Sequence, residues 1–330
     1  MKDTNSNQKI ISKLILSHFD NHRRFLPWRQ EQKNISKSYQ VFISEIMLQQ
    51  TKVTTVIPYF KKFMAKWPNI HSLSKSSITE VLQLWSGLGY YSRARNLHAA
   101  SKMIVKEYEG KIPSNEDDLL KLPGIGPYTA SAILAIAYKK KFVVIDVNVK
   151  RIISRLFHIK ANKKKEIIKN AAYLSDTKRP GDYAEAMMEL GQTICISNKP
   201  KCSICPCKNY CISRRLENFS LTKRKSYKKK KKIKYAAVFA LFDENKNIYT
   251  ERLPYDGPLG GTLFLPGTEW SNSQDVFLSY KEKQPVSISW VKYKEDINYK
   301  FSHFELKLKV FYGQISDKNK PNGLWFSKNT

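Results

Sequence analysis

Two carboxylates in this chain are placed where acid chemistry and cation stabilisation could be divided between them. In Ser44-Glu45-Ile46-Met47-Leu48-Gln49-Gln50-Thr51, a helix puts Glu45 on the face of Val41, Phe42 and Leu48, at i−4, i−3 and i+3. Apolar surroundings desolvate the carboxylate and raise its pKa, as a general acid near neutral pH requires. Asp146, within Val143-Val144-Ile145-Asp146-Val147-Asn148-Val149-Lys150-Arg151, stands at the entrance of a helix carrying Ile152 and Leu156. A helix N-terminus favours an anion. The plainer readings are a glutamate at the rim of a helix interface and an N-cap made by Asp146 or Asn148. Where both special readings hold, one group is an acid and the other a fixed anion, the pairing that cleaves through an oxocarbenium-like transition state.

Two further groups of residues carry chemistry. Leu122-Pro123-Gly124-Ile125-Gly126-Pro127-Tyr128-Thr129-Ala130 opens the apolar helical run Ala132 to Ala137. Gly124 and Gly126, just before a helix, allow close backbone approach and leave outward N–H groups that cradle phosphate. The same turn also serves as ordinary helix capping. All five cysteines lie between residues 195 and 211, a distribution that suits a metal site in a reducing compartment and not a disulfide framework. Six residues separate Cys195 from Cys202, two separate Cys202 from Cys205, and five separate Cys205 from Cys211. Zinc sites more often use two CxxC-like knuckles, whereas unequal short spacings on one wrap suit a cubane 4Fe-4S cluster. Such a cluster reads as a fold staple. Cys207 is a spare thiol or an alternative ligand.

The elements that must position these groups follow from periodicity. From Ile10 to about Asn218 the pattern is helical, with Ile11, Leu14, Ile15 and Phe19 early and Val149, Ile152, Ile153, Leu156 and Phe157 later. Between Lys223 and Lys234, nine of twelve residues are Lys or Arg, and the run Lys228 to Lys232 predicts an extended linker and a domain boundary. Beyond it, Tyr235 to Phe242, Val286 to Val291 and Leu306 to Tyr312 read as strands of a small α+β domain. No fixed-period repeat occurs.

The 330 residues fit two to three domains, and 42% hydrophobic with 26% charged residues excludes a disordered or fibrous chain. A net charge of +30 points to a polyanion, nucleic acid before membrane. No stretch approaches a membrane span, and Met1 to Gln8 lacks a signal-peptide pattern. The expected location is the cytoplasm.

These signals, in this order, resemble the helix-hairpin-helix DNA glycosylases, and in detail the A/G-specific adenine DNA glycosylases of the MutY family. The resemblance rests on LPWR at Leu26 to Arg29, SEIMLQQTKVTTVIPYF from Ser44, GLGYYSRARNLH from Gly87, LPGIGPYTASAI from Leu122, IDVNVKR from Ile145, AMMELG from Ala186, and the cysteine wrap. It implies a mostly α core: a six-helix barrel with the hairpin over 28–138, and an iron–sulfur cluster domain from 1–27 and 139–218. A basic linker over 219–234 then leads to a NUDIX-like α+β recognition domain over 235–330, without a Glu-rich NUDIX box. The chain ends at Thr330, where the family pattern runs on into another helix.

By this resemblance, a monomer would excise adenine paired with 8-oxoguanine or guanine in double-stranded DNA. Glu45 would protonate the flipped adenine and Asp146 would stabilise the sugar cation. Tyr128 and Asn148 match positions lining the site, Glu185 a further polar position, and Arg29 an adenine-site position. Gln50 and Tyr90 resemble residues that wedge into the base stack, and Ser302 and His303 are expected to read the lesion. Val147 departs from the glycine usual beside the catalytic aspartate, so the local turn or the Asp146 orientation is expected to differ. The rival within the superfamily is an endonuclease III-like glycosylase/lyase, whose Schiff-base lysine would follow the hairpin where Tyr128 stands. The rival from another class is a non-catalytic DNA-binding protein that uses the hairpin only to hold phosphates.

Overall fold

The computed structural model describes residues 2–217, 219, 232–255, 257, 259–301 and 304–327. It divides into two compact units, Met1–Ser226 and Tyr227–Thr330.

Twelve α-helices form the first unit among the described residues: α1 (Lys2–His22), α2 (Lys37–Leu48), α3 (Val53–Lys66), α4 (Ile70–Lys75), α5 (Ile78–Trp85), α6 (Tyr91–Glu107), α7 (Glu116–Lys121), α8 (Pro127–Ile136), α9 (Val147–Leu156), α10 (Lys164–Leu174), α11 (Pro180–Thr193) and α12 (Ile212–Arg215). Local chemistry starts many of them. Ser36 caps α2, Asn69 and Ser77 form capping boxes on α4 and α5, and Asn115 caps α7. Pro127 opens α8, where its fixed φ suits the first turn.

Apolar stripes on these helices close over two cores. Phe42, Phe60, Phe63, Trp85 and Leu97 gather in the first, which draws on residues between Leu26 and Phe142. In the second, Ile15 and Phe19 of α1 meet Ile153 of α9, Leu174 of α10 and Met187 of α11. The first helix of the chain therefore packs on helices that follow the hairpin. A small patch of Ala132, Ala135, Val144 and Ala184 joins the two regions through α8 and α11. Among the described residues, no helix is long and apolar enough to cross a membrane.

The second unit is built on a seven-stranded sheet: β1 (Lys232–Phe242), β2 (Ile248–Arg252), β3 (Leu263–Phe264), β4 (Val291–Lys292), β5 (Ile297–Lys300), β6 (Phe304–Gln314) and β7 (Leu324–Phe326). Its order is β3-β2-β1-β6-β4, with β5 also on β6 and β7 also on β2. β1 and β6 run parallel in register from Lys232↔Phe304 to Phe242↔Gln314. Six consecutive residues of β1 are buried, as expected of a central strand covered on both faces. The described helical elements of this unit are short 3-10 turns.

The strand expected over Val286 to Val291 is mostly absent: only Val291 enters β4. Residues 286–290 instead curl back, with Trp290 Nε1 donating to the Val286 carbonyl at 3.2 Å. Val286, Ile288 and Trp290 all pack against one cluster around Leu241, Tyr249 and Ile315. Their apolar spacing reflects this cap and not a ladder.

Candidate active site

Glu45 lies near the end of α2 and is 6% exposed. Burial, with the Glu185 and Asp146 carboxylates nearby, outweighs the Tyr128 hydrogen bond and the Arg29 charge and lifts its pKa to about 7. The Tyr128 hydroxyl donates to Glu45 Oε2 at 3.4 Å and approaches Met188 Sδ at 3.2 Å. Burial and the two carboxylates hold the Tyr128 phenol well above its ordinary range.

Asp146 is the N-cap of α9, its Oδ1 accepting from the Val149 N–H at 2.6 Å. Asn148 Nδ2 donates to its other oxygen at 2.6 Å. Arg151 then locks Asn148: its Nη2 donates to Asn148 Oδ1 at 2.8 Å and to the Gly191 carbonyl at 2.7 Å, while its Nε donates to the Cys195 carbonyl at 2.8 Å. Gly191 allows this approach, because a Cβ there would stand 2.5 Å from Asn148 Cβ. Val147 takes the first helical position of α9 with no left-handed backbone and is 77% exposed.

Arg29 spans two carboxylates of α11, its Nε donating to Glu185 Oε1 at 2.8 Å and its Nη1 to Glu189 Oε2 at 2.7 Å. Glu189 Oε1 accepts the Arg24 backbone N–H at 2.8 Å, and Arg24 Nη2 donates to Gln192 Oε1 at 2.9 Å. Despite their burial, these partners keep Arg29 charged and hold the Glu189 carboxyl below its ordinary range. Sequence reasoning missed Glu189, Arg24 and Arg151. The available signal was Glu185 and Glu189 at i and i+4, one helix face, with Glu189 inside AMMELG.

Glu45, Tyr128, Asp146, Asn148, Arg29 and Glu185 line one open cleft of about 1020 Å³, with Gln50 also on its wall. Its size is at the upper end of small-molecule sites. The cleft can therefore offer a proton from one buried carboxyl and a hydrogen-bonded carboxylate from another.

Gly124, Gly126 and Tyr90 lie outside that wall. Gly124 has φ +79° and Gly126 caps α8, so α7, the turn and α8 make a helix-hairpin-helix. Gln49 Nε2 ties the hairpin to α2 by donating to the Gly124 carbonyl at 3.3 Å and Thr129 Oγ1 at 3.2 Å. Gln50 and Tyr90 both adopt left-handed backbone, with φ 58° and 51°. Arg93 is between them: its Nη1 donates to the Gln49 carbonyl at 2.6 Å, and its guanidinium lies 5.4 Å from the Tyr90 ring centroid.

Cys195, Cys202, Cys205 and Cys211 line a second, smaller cavity, whose wall also holds Arg155, Lys208 and Arg214. All five cysteines are free thiols, and Cys207 is 3% exposed in the second core. Among the described residues, no three His, Cys, Asp or Glu groups draw together closely enough to hold a single metal ion. Ser302, His303 and residues 220–231 of the basic linker lie outside the described residues. On either side of that pair, Phe301 and Phe304 stack at 4.5 Å, and Trp270 tilts against both.

Residues 43–174 match the family described as HhH-GPD superfamily base excision DNA repair protein. The chain is 37% identical over 306 residues to the adenine DNA glycosylase of Buchnera aphidicola subsp. Acyrthosiphon pisum (strain APS), spanning 91% of this chain and 85% of that protein. It is 42% identical over 207 residues to the adenine DNA glycosylase of Mus musculus, spanning 60% of this chain and 40% of the mouse protein. Among solved structures, a thermostable thymine-DNA glycosylase superposes with a TM-score of 0.59 at 28% identity, over 64% of this chain and 99% of that one. On these matches, the chain belongs to the adenine DNA glycosylase family, within the HhH-GPD superfamily of base excision DNA repair proteins.

Proposed function

We propose that the protein is a monofunctional DNA N-glycosylase that removes adenine paired with 8-oxoguanine or guanine, acting on a nucleotide flipped from the duplex into the cleft. One observation carries this reading: a buried carboxyl with a pKa near 7 shares a cleft with a carboxylate fixed by the start of a helix. Glu45 donates its proton to the adenine ring, making the base a neutral leaving group. Asp146, oriented by Val149 and Asn148, faces the positive charge left on the sugar. Tyr128 keeps the Glu45 carboxyl oriented, and the Arg29, Glu185 and Glu189 network fixes one wall. No lysine follows the hairpin at the Tyr128 position, so base loss is not coupled to strand cleavage.

Four thiols on one cavity wall among four cationic side chains, Arg155, Lys201, Lys208 and Arg214, fit a 4Fe-4S cluster. Cys195, Cys202, Cys205 and Cys211 would hold it, and Cys207, packed in the core, would not. When bound, the cluster supplies cross-linking of the 195–211 segment. The sheet unit reads as a NUDIX-like recognition domain, with Ser302 and His303 contacting the base opposite adenine. Replacing both with alanine should lower the preference for 8-oxoguanine over guanine about ten-fold; unchanged ratios would remove them from recognition.

The test of the activity is single-turnover reaction on a duplex with adenine opposite 8-oxoguanine, analysed before and after alkali. Release of adenine with strand breaks only after alkali is expected. Strand breaks before alkali, with a borohydride-trapped lysine adduct, would assign the lyase reaction instead.

A further inference from the structure

Gln50, just after α2, and Tyr90, just before α6, stand in separate turns in left-handed backbone that non-glycine residues adopt at a cost. Gln50 is exposed on the cleft wall and Tyr90 is half-buried. One side chain grips both turns: Arg93, in the first turn of α6 and 7% exposed. Its Nη1 donates to the carbonyls of Ile46, Met47 and Gln49 at 3.2, 2.6 and 2.6 Å. Its Nη2 donates to Thr51 Oγ1 at 3.0 Å and to the carbonyls of Leu88 and Gly89 at 3.4 and 3.0 Å. Gln50 is thus held on both sides, at Gln49 and Thr51, and Tyr90 is held through the two residues before it.

This arrangement is specific to a guanidinium. A cation of any shape suits the last carbonyls of α2, which lack intrahelical partners. Only arginine offers two terminal nitrogens on a rigid plane, one for each direction of the grip. Its Nε is buried without a partner among the described residues, a cost that stability alone does not explain. The grip also extends to the hairpin. Gln49, whose carbonyl Arg93 holds, donates its side chain to the Gly124 carbonyl at 3.3 Å. Asn96, one turn further along α6, lies so close to Gly124 that a Cβ there would stand 2.8 Å from its own. An enzyme that takes a base out of a duplex leaves a gap in the stack, and the side chains that fill it must arrive at a set spacing. We propose that Arg93 is a positioning residue for base extrusion: it fixes the Gln50 turn and the Tyr90 turn to each other, so that both enter the duplex as one unit. The inference rests on the reading of the chain as a glycosylase that extrudes adenine, and it adds the residue that sets the spacing.

The test uses the full chain and a duplex with 2-aminopurine beside the target adenosine, whose 2′-fluorine opposes cation formation and keeps the glycosidic bond intact. The rise in 2-aminopurine fluorescence reports extrusion and anisotropy reports affinity, both at a temperature where circular dichroism shows every variant folded. Arg93→Lys keeps the charge but not the second nitrogen, and should slow the rise about ten-fold while affinity changes by less than about three-fold. In Gln50→Ala and Tyr90→Ala backgrounds the same change should slow extrusion less than it does in the parent, because one of the two side chains it positions is gone. Rates too slow for fluorescence are read as single-turnover adenine release from the unmodified duplex. Equal slowing in all three backgrounds, parent-like extrusion in Arg93→Lys, or extrusion and affinity falling together would overturn the proposal. Absence of adenine release by the parent overturns the glycosylase reading itself, a result distinct from release that Arg93→Lys slows equally in every background.

Discussion

Above a pH of about 7, Glu45 has lost the proton that its role requires. The single-turnover rate should therefore be flat below that value and fall about ten-fold per pH unit above it. Stability follows the same group. Its folded pKa is raised above the ordinary 4.5, so its contribution is fully present below about pH 4.5 and lost as pH rises through 7. Glu45→Gln escapes that loss. At pH 8 it should melt higher than the parent, by up to ~3 kcal/mol of stability, while excision drops ~100-fold or more. A melting temperature unchanged at both pH 5 and pH 8 would show that Glu45 is not desolvated. Its apolar face could be read from i−4, i−3 and i+3 neighbours, because helix periodicity is local. The Arg29–Glu189 pair could not be read so, since residues that far apart meet only where the segment following α1 packs on α11.

Elements hold these side chains through a few backbone contacts. Arg151 joins α9 to the end of α11 and to Cys195. Arg151→Met leaves two carbonyls and Asn148 without that donor, so it should cost ~2 kcal/mol or more of stability. Excision should slow with duplex affinity largely kept, and Arg151→Lys should recover part of the rate. In the hairpin, a Cβ on Gly124 would stand 2.8 Å from Asn96 Cβ, at a φ that L residues rarely adopt. Gly124→Ala should lose ~1 to 3 kcal/mol in thermal melts and weaken duplex binding. The hairpin and the Asp146 cap were legible because Gly, Pro and Asp act within a few residues of themselves. Residues 286–290 misled for the opposite reason: alternate apolar residues fit a cap over a core as well as they fit a strand.

Across the whole molecule, excess positive charge should make duplex affinity fall steeply with salt. Changing Lys228 to Lys232 to glutamine should flatten the log–log slope by about 0.9 for each phosphate contact removed; an unchanged slope would make the run a spacer. Purified protein should be yellow-brown with about four irons, and Cys207→Ser should keep the colour. Stoichiometric zinc without iron would overturn that assignment. The first core and the sheet differ in how far apart their contacting residues lie. The first core closes within a stretch ending at Phe142, whereas β1 finds its long parallel neighbour only in β6. Strands β2, β3 and β7 join the sheet through β1, and β4 and β5 through β6. Early in synthesis, the helices of the first core can settle as they emerge, but α1 must wait for α9 to α11, and β1 must wait until Gln314 has left the ribosome before its central ladder is complete. During that interval its buried-to-be edge is open to other chains. The waiting edge of β1 is thus where aggregation during synthesis should concentrate, whatever the stability of the finished enzyme.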